Sequence, residues 1–114
     1  MPRRKRDPEV LREQCSRVAA LLALSNETDS QISRYLGHAN PSTLNRLRAG
    51  ESFLDSASLA KLGRYAVRDV AHPNLHWVLT GDGEPLLPNE STKKVELEAL
   101  CTLARKEARG AASS

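Results

Sequence analysis

The sequence predicts an all-α fold, and three observations carry that expectation. Apolar residues recur at three- and four-residue spacing along most of the chain, strand-like alternation is weak throughout, and capping residues precede most of the apolar stripes. At 114 residues there is room for one domain with a modest core and short appendages.

The opening MPRRKR is basic and has nothing apolar to pack, so residues 1 to 7 are expected to form a disordered arm. Asp7 stands where an N-cap belongs, with Pro8 at the first helical position and Glu9 in the first turn. Leu11, Cys15, Val18 and Leu22 then draw one apolar stripe, and the helix should stop near Leu24 at the Ser25-Asn26 corner. A second helix, capped by Thr28 or Asp29, turns Ile32 and Leu36 inward and leaves through a left-handed Gly37. A third begins at Asn40-Pro41-Ser42, buries Leu44 and Leu47, and ends at Gly50.

A fourth helix runs from about Ser56 to Tyr65 on Leu59 and Leu62. Pro73 opens a short fifth one carrying Leu75, Trp77, Val78 and Leu79, closed by Gly81-Asp82-Gly83. Glu84 to Ser91 reads as a linker, with Leu86 and Leu87 able to fold back onto the core. A last helix, about Thr92 to Arg109, places Leu97, Leu100, Cys101, Ala104 and Ala108 on one side, too short a repeat for a coiled coil. The expected organisation is an arm over 1–7, a domain over 8–87, and a linker with a C-terminal helix and disordered end over 88–114.

Charge is unevenly placed. Seventeen Lys and Arg stand against fourteen Asp and Glu. Residues 1–68 carry twelve basic and seven acidic groups, +5, and residues 69–114 carry five and seven, −2. The first part therefore has an anion as its expected electrostatic partner. Within it, no acidic residue occurs between Gln31 and Gly50, whereas Arg34, Arg46 and Arg48 do. A surface that approaches a phosphate backbone needs that absence of carboxylates as much as it needs the arginines.

The major groove accepts one α-helix whose N-terminal residues reach base edges, so a reader helix needs one side fixed to a scaffold and the other free. Leu44 and Leu47 supply the fixed side. Asn40, Ser42, Thr43, Asn45 and Arg46 are left outward, all short polar groups or a forked donor. Asparagine can bond adenine through two contacts and arginine can do the same to guanine. The expectation is a binder of double-stranded DNA.

Two stretches carry a family resemblance. DSQISRYLGHANPSTLNRLRAG, Asp29 to Gly50, resembles the helix-turn-helix of the lambda-repressor-like regulators of Cro and CI type, with Gly37 after the first helix and small Ser33 four residues before it. NLHWVLTGDGEPLL, Asn74 to Leu87, is similar to the closing segment that follows the fourth helix in many phage repressors of that family. Together the matching parts span roughly residues 8 to 87. His38 departs from the usual apolar residue, and one extra residue lies between Gly37 and Leu44. The resemblance implies a five-helix domain, phosphate contacts at Gln31 and Arg34 in the scaffold helix and at Arg48 after the reader, and weaker ones at Lys61 and Arg64.

It further implies a cytoplasmic transcriptional regulator, a repressor of phage or mobile-element type, binding a palindromic operator as a homodimer. Two copies would read half-sites about 34 Å apart. Leu97, Leu100 and Ala104 are the first choice for the pairing surface, Leu86 and Leu87 the second. A rival with the same domain is an antitoxin whose last helix covers a toxin. A protein-interaction module bound to another regulator is a second rival.

Other classes find little support. His72 and His76 are four apart, but Pro73 lies between them and no further ligand completes a metal site. No Gly-rich phosphate loop follows a strand and no nucleophile triad can be assembled, so neither an enzyme nor a cofactor is expected. Cys15 and Cys101 lack metal-ligand spacing and read as buried thiols. No apolar run approaches the ~18 residues that span a bilayer.

Overall fold

The computed structural model describes residues 7–90 and 92–113, with side chains as far as residue 110. The expectation for the basic arm lies outside the described residues except at Asp7, whose carboxylate accepts the Glu9 amide at 2.8 Å and starts α1 (Pro8–Leu24). This helix is the spine of the molecule. Its Cys15, Val18, Leu21 and Leu22 are buried, and it packs on α3, α5 and, most extensively, α6.

Helix α2 (Asp29–Tyr35) opens with a capping box, in which the Thr28 hydroxyl accepts the Gln31 amide and the Gln31 side chain accepts the Thr28 amide. Helix α3 (Ser42–Arg48) follows a six-residue corner, residues 36–41. Both helices end in the same way. Gly37 and Gly50, at φ of 92° and 74°, donate to Arg34 and Leu47, and the next residues, His38 and Glu51, donate to Ser33 and Arg46. That is the Schellman closure, which requires a left-handed residue and explains both glycines. Helix α4 (Ser56–Arg64) starts on Asp55, whose carboxylate accepts the Ser58 amide at 2.7 Å.

The chain is mainly helical, but it is not all-α. Strand β1 (Ala71–Pro73) pairs antiparallel with β2 (Leu86–Pro88), with Ala71 opposite Pro88 and Pro73 opposite Leu86. Just before β1, Arg68 and Asp69 both take positive φ, and the Val70 amide donates back to Val67. The sheet overturns two expectations. Pro73 closes a strand instead of opening a helix, and α5 (Leu75–Thr80) is capped by Asn74, which accepts the His76 amide. The stretch expected to be a linker supplies β2, where Leu86 is 1% exposed and Leu87 47%.

Helix α6 (Lys94–Ser113) extends beyond the expected end at Arg109 and is no separate appendage. Leu100, Cys101 and Ala104 pack into the one hydrophobic cluster, alongside residues of α1 and β2. Burial raises the pKa of the Cys101 thiol, whose Sγ points at the Leu86 carbonyl, and both cysteines are buried. No helix among the described residues is long and apolar enough to cross a membrane.

Candidate nucleic-acid interface

Helix α3 has only seven residues, too few to be stable alone, so its position comes from what lies beneath it. Leu44 and Leu47 are both 0% exposed and sit in the core with Ile32 and Leu36 of the α2 segment. Full burial of each leucine stabilises by ~1.5–3 kcal/mol relative to exposure. The opposite face is uncovered: Asn40, Ser42, Asn45, Arg46 and Arg48 are exposed and Thr43 is half-buried. The expected inward and outward division of this helix is therefore what the structure contains, except that Thr43, expected outward, is half-buried.

Several of the predicted contact residues already have work within the fold. The Asn40 carboxamide oxygen accepts the Ser42 amide at 3.0 Å, so its remaining donor is the amide nitrogen. The Gln31 oxygen accepts both the amide and the hydroxyl of Thr28, again leaving the NH₂ group outward. Arg48 donates to Asp29 at 2.8 Å, tying the end of α3 to the start of α2. Its charge is thereby partly neutralised. Arg34 and Arg46 are exposed and have no partner among the described residues, which makes them the two least encumbered cations of the group.

Residues from neighbouring elements complete this surface. Lys61 of α4 brings its Nζ over the corner, 2.9 Å from where a side chain at Gly37 would begin. The Arg12 stem of α1 lies 3.7 Å from the equivalent point at Gly50. His38 bonds Ser58 Oγ at 3.0 Å, and that hydroxyl donates to the Leu36 carbonyl, fixing the longer corner to α4. The Ser58 amide, and secondly its hydroxyl, hold the Asp55 carboxyl below the ordinary range.

Tyr35 was not anticipated here. It is 41% exposed, and its ring meets Tyr65 edge-on at 5.2 Å. The signal was present in the sequence, because Gln31 and Tyr35 are four apart on one helix face. Burial raises the pKa of Tyr65, whose hydroxyl donates to Glu27 at 2.8 Å.

The pairing surface expected on Leu97, Leu100 and Ala104 needs correction. Leu100 is 5% exposed and Ala104 0%, both enclosed within the chain's own core, with Leu97 partly buried beside them. The stripe is apolar, as expected, but α1 covers it. Leu86 is buried too, whereas Leu87, Val95 and Leu103 remain exposed. Among the described residues no group of three His, Cys, Asp or Glu gathers as a metal site. His72 bonds the Tyr65 carbonyl instead. Comparison with protein families, curated proteins and solved structures finds no match.

Proposed function

We propose that the chain is a sequence-specific DNA-binding regulator with a lambda-repressor-like helix-turn-helix, in which α2 is the scaffold and α3 the reader. The observation that carries this reading is the two-sidedness of α3: Leu44 and Leu47 are sealed, while Asn45 and Arg46 project from the uncovered face of a helix that itself carries no acidic residue. Groove entry requires that combination. Arg34, on the scaffold helix, and Lys61, above the corner, supply charge where flanking phosphates would run. Regulation of the repressor type, through a palindromic operator bound by two copies, belongs to the same proposal.

Selection of bound fragments from random duplexes, followed by a salt titration, tests it. A dimer making ~6–10 phosphate contacts loses roughly 10³–10⁵-fold in affinity between 50 and 200 mM salt. Recovery of a two-fold symmetric site with that salt response is expected. A flat salt response, or no enrichment of any sequence, overturns the proposal.

A further inference from the structure

Where α1, α5 and α6 meet, the fold encloses a partly open cavity of about 350 Å³. Its walls come in pairs four residues apart: Glu13 and Arg17 from α1, Trp77 of α5 with Gly81 at its cap, and Arg105 and Arg109 from α6. Helical spacing turns both members of each pair the same way. The lining thus gathers three guanidinium groups against one carboxylate.

Arg17 is the fixed element of this cluster. Its side chain is 16% exposed, and Nη1 donates to the Val78 carbonyl at 3.1 Å. Nη2 lies 3.5 Å from Glu13, and a Cβ at Gly81 would stand only 2.7 Å from that same nitrogen. Glycine at 81 therefore makes space for the guanidinium as well as closing α5 at φ 82°. A guanidinium has five N–H donors, so these two contacts leave others for a further acceptor. Arg105 donates to Glu84 at 2.8 Å, but both side chains are well exposed, so this partner exchanges readily. The Trp77 indole N–H meets no acceptor among the described residues, and its ring joins Ala108 as an apolar wall.

Such a site is rich in donors, positively charged and aromatic on one side. Guanidinium forks match the paired oxygens of carboxylate and phosphate. The volume falls at the lower end of the ~300–1,000 Å³ typical of small-molecule sites. We propose that this cavity binds a small organic oxyanion, a carboxylate or phosphate head on an apolar body about the size of one aromatic ring, and that the ligand ties α6 to α1. This does not depend on the reading of α3.

Trp77 is the only tryptophan in the chain, so its fluorescence reports on the site directly. The full-length protein is titrated separately with phenyl phosphate and benzoate, with benzyl alcohol and inorganic phosphate alongside. A saturable change in indole emission is expected with at least one aromatic anion, and the tighter of the two identifies the head group. Benzyl alcohol and inorganic phosphate should each bind about tenfold more weakly or worse, the loss expected for one charge-assisted hydrogen bond or for the ring. Arg105→Gln with Arg109→Gln, on the outer part of α6, should keep the fold and weaken the anion by at least about tenfold. Arg17→Gln should abolish the response, with folding checked by circular dichroism. No saturable response to either aromatic anion, equal binding of benzyl alcohol or of inorganic phosphate, or an α6 double variant that binds like the parent overturns the proposal.

Discussion

Leu100→Ala decides whether α6 belongs to the core or to a partner. In the structure Leu100 is 5% exposed, beside Cys101 at 3% and Ala104 at 0%. Truncating a leucine enclosed to this degree costs ~2–5 kcal/mol, from lost transfer energy plus the cavity left behind. With roughly 4 °C per kcal/mol for a domain of this size, the melting midpoint should fall by roughly 8–20 °C. The assay is thermal and urea unfolding by far-ultraviolet circular dichroism, at two well-separated protein concentrations. A core residue gives a loss that is the same at both, whereas a residue between two copies gives a loss that grows on dilution. Leu103→Ser, at 41% exposure on the same helix, is the control and should change stability by less than ~0.5 kcal/mol. If Leu100→Ala left stability within ~0.5 kcal/mol and instead dissociated a dimer in sedimentation, the packing described for α6 would be wrong.

Four further outcomes are expected. Arg46→Ala should cost duplex binding ~1–3 kcal/mol and relax preference at one base pair, measured by fluorescence anisotropy on single-position operator variants; uniform weakening would assign it to a phosphate. Asp29→Asn frees Arg48 and removes a carboxylate beside the proposed reading face, so duplex affinity should rise and the salt slope steepen by about one. The Asp55 carboxyl is held below its ordinary pKa by the Ser58 amide, so its contribution to stability is present above the unfolded value of 3.8 and is lost as pH falls through the folded one. Asp55→Asn keeps an acceptor but cannot titrate, so acid unfolding of the variant should show a shallower pH dependence. Gly37→Ala forces a Cβ into a left-handed position at φ 92° and should destabilise by ~1–2 kcal/mol in urea melts, while the flexible end of Lys61 moves aside cheaply.

The helices were legible because their signals are local. Asp7-Pro8, a cap at Thr28 or Asp29, and the glycines at 37, 50 and 81 each specify a cap or exit through chemistry within about five residues. The inward leucines of α3 were legible for the same reason. The sheet was not. Its strands have three residues each, too short for alternation to register, and the turn before β1 puts Arg68 and Asp69 at positive φ without a glycine to announce it. What holds that turn is distant: Arg68 donates to the Leu24 carbonyl, and Thr92 donates to that of Val70. The stripe on α6 was visible, but periodicity says only that a face is apolar, never whether this chain or another covers it. The ion pair between Arg48 and Asp29 was hidden likewise, since those residues are nineteen apart in sequence and meet only once the corner has formed.

The support of α3 and the cavity share helix α1, and this bears on how the two proposed sites can influence each other. Along α1, Arg12 reaches the end of α3, and Cys15 directs its Sγ to the Ser52 carbonyl just beyond it. Glu13 and Arg17, on the adjoining strip of the same helix, line the cavity with α5 and α6. A seven-residue α3 takes its orientation from α1 and α2, because its own backbone bonds are too few to fix it. Any group that tightens α6 against α1 therefore acts on the support of α3 and not on its exposed side chains. If α3 enters a groove as proposed, the effect on a duplex would come through how firmly the helix is held, leaving unchanged which bases Asn45 and Arg46 would meet.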